Sequence, residues 1–315
     1  MLENKVAPAA QALRERVEAQ VVGQAQAVEM LILGLLTGGH LLLEGAPGLA
    51  KTLLARAFAQ ALSVSFGRVQ FTSDLLPSDI LGTVVYDLQR MEFAVKRGPI
   101  FTNILLGDEI NRAPPKTQAA LLEAMEEGQV TLEGRTMPLD CPFMVVATQN
   151  PVEFEGTYPL PEAQLDRFML KIPIGYPTLE EEVEVLRRHH LGRMDVAEPL
   201  PGVVNAAQLA ELRSQVSAVR VEEDILAYIA SLVRATRECR DLALGSSPRG
   251  AISLLRGAKA RAAVRGRDYC LPEDVKGLFV PALAHRIILR PEAEVDERRP
   301  ESILAELAEK VPVPR

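Results

Sequence analysis

The amino-acid sequence predicts an α/β protein: a parallel sheet flanked by helices, followed by a smaller all-helical domain. Three observations carry this. An apolar run at 41–43 breaks into a glycine-rich turn and then the helix-forming stretch 53–62. A second apolar run, 104–106, ends in Asp108-Glu109 and leads to a helix opened by Pro114-Pro115 and closed by Gly128. Beyond Pro177 the strand-like runs stop and helical periodicity takes over.

Composition sets the frame. The 315 residues suffice for two domains or one large one, with 48% hydrophobic and 24% charged residues. A net charge of −7 argues against a nucleic-acid coat. Cys141, Cys239 and Cys270 are far apart and in no C-x-x-C, which speaks for a reducing compartment and against a disulfide framework or zinc site. His40 and His285 stand alone, and the adjacent pair His189-His190 points to different helix faces, as on a solvated surface. No basic n-region and apolar h-region open the chain, and the apolar stretch 30–43 is too short to span a bilayer. These features predict a cytoplasmic protein.

Taken in order, residues 8–20 are amphipathic and helix-forming. Val21-Val22-Gly23-Gln24 is an apolar pair and a turn, placed to line an adenine pocket or to serve as a plain helix entry. A helix then runs to Gly38-Gly39, ahead of the first strand.

The loop Gly45-Ala46-Pro47-Gly48-Leu49-Ala50 followed by Lys51-Thr52-Leu53 is a P-loop string in strand–loop–helix context. Its backbone N–H groups and the helix N-terminus converge on a place suited to a β-phosphate. Lys51 reaches the β- and γ-phosphates, and the Thr52 hydroxyl ligates Mg²⁺. Gly45 and Gly48 turn the chain where a Cβ would intrude. The pattern asks for Gly where Ala50 stands, and the smallest Cβ-bearing residue keeps the cradle. The competing reading is a chance Gly-Pro turn before an amphipathic helix.

Residues 68–72 (RVQFT) alternate as a strand, and 73–79 form a loop with caps. Residues 83–98 read as a hairpin, either a surface elaboration or a device facing a substrate or partner. Asp108 and Glu109 end a parallel strand, at the edge where open α/β sheets bind ligands. Asp108 is placed to hold Mg²⁺ through its water, and Glu109 to orient and polarise the attacking water; an acidic turn is the alternative. A further hairpin, 130–139, leads to a buried strand at 142–148 that ends in Gln149-Asn150-Pro151. An amide there can hydrogen-bond the attacking water or the γ-phosphate. The stretch 153–168 delivers Arg167, either a surface cation or a charge offered to a neighbouring subunit's γ-phosphate.

Helical patterns follow at 179–188, 206–214, 222–237, 248–264 and 272–285, with a Pro/Gly-containing connection at 195–203. The expected organisation is a core at 1–178, a linker at 179–200, a helical domain at 201–290 and an acidic tail at 291–315 with one short helix at 302–310. Nine Lys/Arg stand against three acids between Ser246 and Arg290. Arg249 lies in the first turn of its helix, where a cation opposes the helix dipole, and this points to a negative partner.

The strings GAPGLAKT, LLGDEINRAPPKTQAALLEAMEEGQVTLEG, VVATQNPVEFEGTYPLPEAQLDRF and SPRGAISLLRGAKARAAVRGRDYCLPEDV together resemble the MoxR family of AAA+ ATPases, from about Val21 to Arg290. The resemblance implies an αβα AAA+ core with strand order 5-1-4-3-2 and a helical lid. It makes 83–98 the helix-2 insert and 130–139 the hairpin before sensor 1. It assigns Walker A to Lys51 and Thr52, Walker B to Asp108 and Glu109, sensor 1 to Asn150, the arginine finger to Arg167 and sensor 2 to Arg249. ATP and Mg²⁺ are the implied cofactors, and a homo-oligomeric, hexameric ring the implied assembly. The implied work is chaperone-like remodelling or maturation of a client protein complex, with a von Willebrand A-domain adaptor. That adaptor domain is not in this sequence, which corresponds to the motor half. Ala50 fits the family's habit, and Gly107 before Asp108 is a departure without evident chemical consequence.

Two rival functions remain. A DNA-directed motor would use the same core and the basic helical domain, against which stand the net charge and the 4% aromatic content. A slow nucleotide-dependent binding switch could dispense with Glu109, which is present.

Overall fold

The computed structural model describes residues 4–89, 91–150, 157–191 and 202–314. Helix α1 (Val6–Glu18) buries one stripe, Val6, Ala10, Leu13 and Val17, while α2 (Ala25–Thr37) is buried nearly all round. Gly38, at φ +68°, ends α2 in the left-handed conformation and turns the chain into β1 (His40–Glu44). After the glycine loop come α3 (Lys51–Gln60), β2 (Leu62–Ser63), β3 (Phe66–Gln70) and α4 (Pro77–Leu81). The hairpin of β4 (Gly82–Asp87) and β5 (Glu92–Arg97) precedes β6 (Ile104–Asp108) and α5 (Pro115–Glu127). A second hairpin, β7 (Gln129–Leu132) with β8 (Arg135–Pro138), leads to β9 (Met144–Gln149), α6 (Glu162–Leu165) and β10 (Phe168–Pro173).

The five long strands form one sheet, β10-β1-β9-β6-β3, parallel throughout. In sequence terms the order is fifth, first, fourth, third, second, the expected 5-1-4-3-2. β6 is buried at every position and β9 at all but its last residue, as strands covered on both faces must be. One apolar cluster lies under α1, α2 and α3 and continues into the C-terminal helices; a second lies under α5.

Two expectations are corrected. The strand expected at 68–72 lies at Phe66–Gln70, because its ladder with β6 ends at the pair Gln70 and Asp108. The helix expected at 179–188 is α7 (Leu179–His190), where Thr178 and Glu181 form a capping box and opposite charges sit at the two ends. The remainder of the linker expected at 179–200, residues 192–200, lies outside the described residues. Strands also recur after Pro177: β11 (Val204–Asn205) pairs with β2, and β12 (Leu242–Leu244) with β13 (Ile288–Leu289). Two or three residues are too few for an alternating pattern to show in sequence.

The C-terminal helices are α8 (Ala206–Ser217), α9 (Glu223–Glu238), α10 (Pro248–Val264), α11 (Pro272–Leu283), α12 (Pro291–Val295) and α13 (Pro300–Lys310). The short helix expected at 302–310 is α13, which packs Ile303, Leu304, Leu307 and Ala308 against α9 and α11. Its charges lie on the outer face and hide the apolar stripe. Among the described residues no helix is long and apolar enough to cross a membrane.

Candidate functional site

The site begins where β1 runs out. A Cβ on Gly45 would stand 2.5 Å from the Ile174 carbonyl oxygen, so only glycine lets the loop pass the end of β10. Gly48 has φ +81°, and Ala50 has φ +57°. The residue that departs from the glycine pattern thus occupies a left-handed position, where a Cβ costs about 1 kcal/mol. Pro47 and Gly48 are exposed, whereas Leu49 and Leu53 pack on the core and anchor the loop. Lys51 starts α3, and its ammonium donates to the carbonyls of Gly45 and Ala46. The turn Val22-Gly23 sits beside this loop. Gly23 abuts the Glu181 carboxylate, and Gln24 Nε2 donates to Gly175 O at 3.4 Å, next to the Ile174 that packs on Gly45.

Asp108, at the end of β6, is buried and fully engaged. Thr148 Oγ1 donates to its Oδ1 at 2.6 Å, and Thr52 Oγ1 donates to its Oδ2 at 2.8 Å. Arg68 Nη2 reaches the same Oδ2 at 2.8 Å. Glu109 follows with φ +57°, a turn that points its carboxylate along the sheet edge. Gln70 Nε2 donates to Glu109 Oε2 at 2.9 Å, and Arg112 pairs with the same oxygen at 3.1 Å. Asn150, buried at the end of β9, accepts on its carbonyl from Asn111 Nδ2 at 3.2 Å.

The sequence-predicted residues 45–53, Asp108, Glu109 and Asn150 therefore meet at one edge of the sheet, the carboxyl ends of β1, β6 and β9. A lysine ammonium, a helix N-terminus and a glycine turn suit phosphates, and a hydroxyl with a carboxylate is a hard oxygen set that suits Mg²⁺. Arg68, Gln70, Asn111 and Thr148 belong to this edge and were not singled out from sequence. Their signal was faint: polar residues at alternate positions 68 and 70 on a strand otherwise made to pack.

Arg167 and Arg249 lie elsewhere. Arg167 precedes β10 and so stands at the opposite edge, one strand length away, roughly 15 Å. Its guanidinium pairs with Glu126 at 2.8 Å, and Arg249, in the first turn of α10, closes on the other oxygen of Glu126. The negative partner expected for Arg249 is thus Glu126, with Asp166 Oδ2 further off at 4.0 Å. Asp166 in turn holds the buried Arg286 at 2.7 Å. These groups border a cavity of about 260 Å³. His40 closes its floor: Val145 N–H donates to its Nδ1 at 3.0 Å, leaving Nε2–H for Met125 O at 3.1 Å. Burial holds this imidazole's pKa down to about 4. His189 and His190 are exposed on α7, and among the described residues no cluster of His, Cys, Asp or Glu has the makings of a metal site.

Comparison with known proteins agrees with this geometry. The profile of the ATPase family associated with various cellular activities matches residues 40–170, and that of the AAA lid domain matches 234–307. The chaperone MoxR1 of Mycobacterium tuberculosis is 44% identical over 305 residues, covering 94% of this chain and 80% of the relative. The protein MoxR of Paracoccus denitrificans is 33% identical over 297 residues, 87% of each chain. The crystal structure of a Cytophaga hutchinsonii protein assigned as a candidate ATPase superposes with a TM-score of 0.90 at 44% identity, covering 98% of this chain and 96% of that one. Sheet order, helical lid and these relatives converge: the chain belongs to the MoxR family of AAA+ ATPases.

Proposed function

We propose that the protein is a Mg²⁺-dependent ATPase whose site is completed between subunits, and that turnover drives remodelling or maturation of a partner protein complex. The observation that carries the reading is the separation of the two halves of the chemistry. Phosphate-binding and water-activating groups occupy one edge of the sheet, and two arginines stand together at the other.

Lys51 and the N–H groups at the start of α3 hold the β- and γ-phosphates. Mg²⁺, when bound, screens the phosphate charge, with Thr52 and Asp108 as the residues that hold it. Glu109 accepts hydrogen-bonding from the attacking water and aligns it, with Gln70 fixing one carboxylate oxygen. Asn150 contacts the water or the γ-phosphate, and Val22-Gly23 borders the adenine. Arg167 and Arg249 belong to the neighbour's γ-phosphate, where they neutralise developing charge. Turnover therefore depends on assembly, for which the family resemblance suggests a hexameric ring.

The β4–β5 hairpin exposes Tyr86, Leu88, Met91 and Phe93, which supports a role in gripping a client. The name of the M. tuberculosis relative, a chaperone, supports the same use, and the family resemblance implies a von Willebrand A-domain adaptor. The test is steady-state ATPase against protein concentration, with and without Mg²⁺, for wild type and Arg167→Ala. Specific activity that rises with concentration in wild type and stays low in the variant is expected. Activity flat with concentration and indifferent to Arg167 would replace the shared-site motor with a self-contained switch.

A further inference from the structure

Asp108 carries a counter-cation of the chain's own. Its side chain is 7% exposed, and a carboxylate that far from water is costly without a countercharge. Arg68 supplies one, 2.8 Å from Oδ2. Thr52 converges on that same oxygen, also at 2.8 Å, so the guanidinium shares Oδ2 with the hydroxyl proposed to face Mg²⁺. A metal-bound water and the guanidinium would compete for the same oxygen, and two cations held a few ångströms apart repel in a partly desolvated site.

Arg68 is also built to leave. It lies on β3, the outermost strand of the sheet, and half of its side chain is exposed. A second acceptor, Gln70 Oε1, is 3.0 Å from its Nη2. Residues 68 and 70 lie on one face of the strand, so this contact needs no movement of the backbone. The amide of Gln70 is held from both sides: its carbonyl accepts from Arg68, and its Nε2 donates to Glu109 at 2.9 Å. Release of Asp108 leaves the guanidinium hydrogen-bonded and the amide still aimed at Glu109.

We propose that Arg68 is a stand-in cation for Mg²⁺ at Asp108: it balances the carboxylate in the metal-free site, is displaced when the metal enters, and stays on Gln70 to hold that amide on Glu109. This rests on the nucleotide and Mg²⁺ site proposed above. An ordinary structural ion pair would stabilise the protein equally with and without metal. A stand-in stabilises only the metal-free form and opposes the metal.

The test uses the full chain with ADP and Mn²⁺ as the probe, free Mn²⁺ being read by electron paramagnetic resonance. Arg68→Gln is expected to tighten Mn²⁺ binding about fivefold, the equivalent of one half-exposed ion pair. Gln70→Ala, which removes the second acceptor and leaves the charge on Asp108, is expected to weaken it. In melting experiments Arg68→Gln loses stability without metal and nucleotide, and the loss shrinks with Mg²⁺–ADP. Mn²⁺ affinity unchanged or weaker in Arg68→Gln, or a melting deficit that persists with Mg²⁺–ADP, overturns the proposal. Should Arg68→Gln fail to fold, Gln70→Ala decides, and unchanged or tighter Mn²⁺ binding there is the overturning result. Wild type that takes up no more Mn²⁺ with ADP than Lys51→Ala does would instead sink the underlying site.

Discussion

Arg167 and Arg249 close on the two oxygens of one carboxylate, Glu126, although one precedes a strand of the sheet and the other opens a helix of the lid. Two guanidiniums this close repel, and the shared anion makes the arrangement tolerable. It also ties lid to core at the point where both arginines are presented together.

Replacing Glu126 by Gln is therefore expected to cost about 1 kcal/mol of stability at low salt, a modest figure because all three side chains are partly exposed. The loss should be largely recovered at ~0.5 M salt, where the repulsion is screened. Denaturant melts at the two salt concentrations check this; a salt-independent deficit would mean that packing, not charge, is at stake.

Mixing inactive variants tests the division of labour. Arg167→Ala and Lys51→Ala are each expected to lose turnover alone. Together they should regain part of it, because one variant's intact phosphate edge meets the other's intact arginines. No regain in mixed assemblies, with mixing confirmed by size-exclusion chromatography of differently tagged chains, would count against a shared site.

Glu109→Gln keeps the hydrogen-bonded shape of the edge but removes the proposed base. Nucleotide binding should persist while turnover falls about 10²- to 10⁴-fold, the range of a positioned general base. Equal ATPase rates in wild type and variant would remove Glu109 from the chemistry.

Acid should loosen the arginine side of the molecule. The folded protein holds His40 at a pKa of about 4 through burial, against 6.5 in its ordinary state. The unfolded chain thus binds a proton in this window that the folded chain refuses. Stability is full above the ordinary value and falls as the pH drops from 6.5 to about 4. The loss reaches about 3 kcal/mol at the lower end. His285, also buried, adds in the same direction. Thermal melts across this range should show a shallower slope in His40→Gln than in wild type; parallel slopes would exclude the imidazole.

Ala50→Gly should stabilise the protein by about 1 kcal/mol, since glycine adopts the left-handed φ of +57° without steric cost. Nucleotide affinity should be unchanged, because the same loop N–H groups face the phosphates. A melting temperature that does not rise would show that the strain is already relieved by neighbouring geometry.

Much of the site is legible in the sequence because it is local. Residues 45–53 carry their chemistry within one turn, and Asp108-Glu109 announce themselves by following an apolar run. Arg68 and Gln70 were hidden because their meaning depends on register: the pairing of Gln70 with Asp108 joins strands far apart in sequence. β10 was passed over because Lys171 interrupts its apolar run, and only the fold shows that its ammonium reaches Glu44 at 2.6 Å. The placement of Arg167 and Arg249 opposite the phosphate loop is a property of topology and has no sequence signal of its own.

On the shared-site reading proposed above, the separation of those two edges also limits the symmetry that a working assembly can have. A two-fold dimer would complete both sites only if loop and arginines shared one self-complementary patch, and a strand length separates them. The smallest productive unit is a head-to-tail pair, with one complete site between two chains, one loop left unserved at one end and one arginine pair idle at the other. Only an arrangement in which the last chain meets the first leaves neither over. The thirteen-residue helix α5, roughly 20 Å long, follows the short turn after Glu109 and carries Glu126 in its last turn. On the shared-site reading, this one element would join each chain's own phosphate edge to the arginines it offers its neighbour, and so would carry influence around the assembly in one sense.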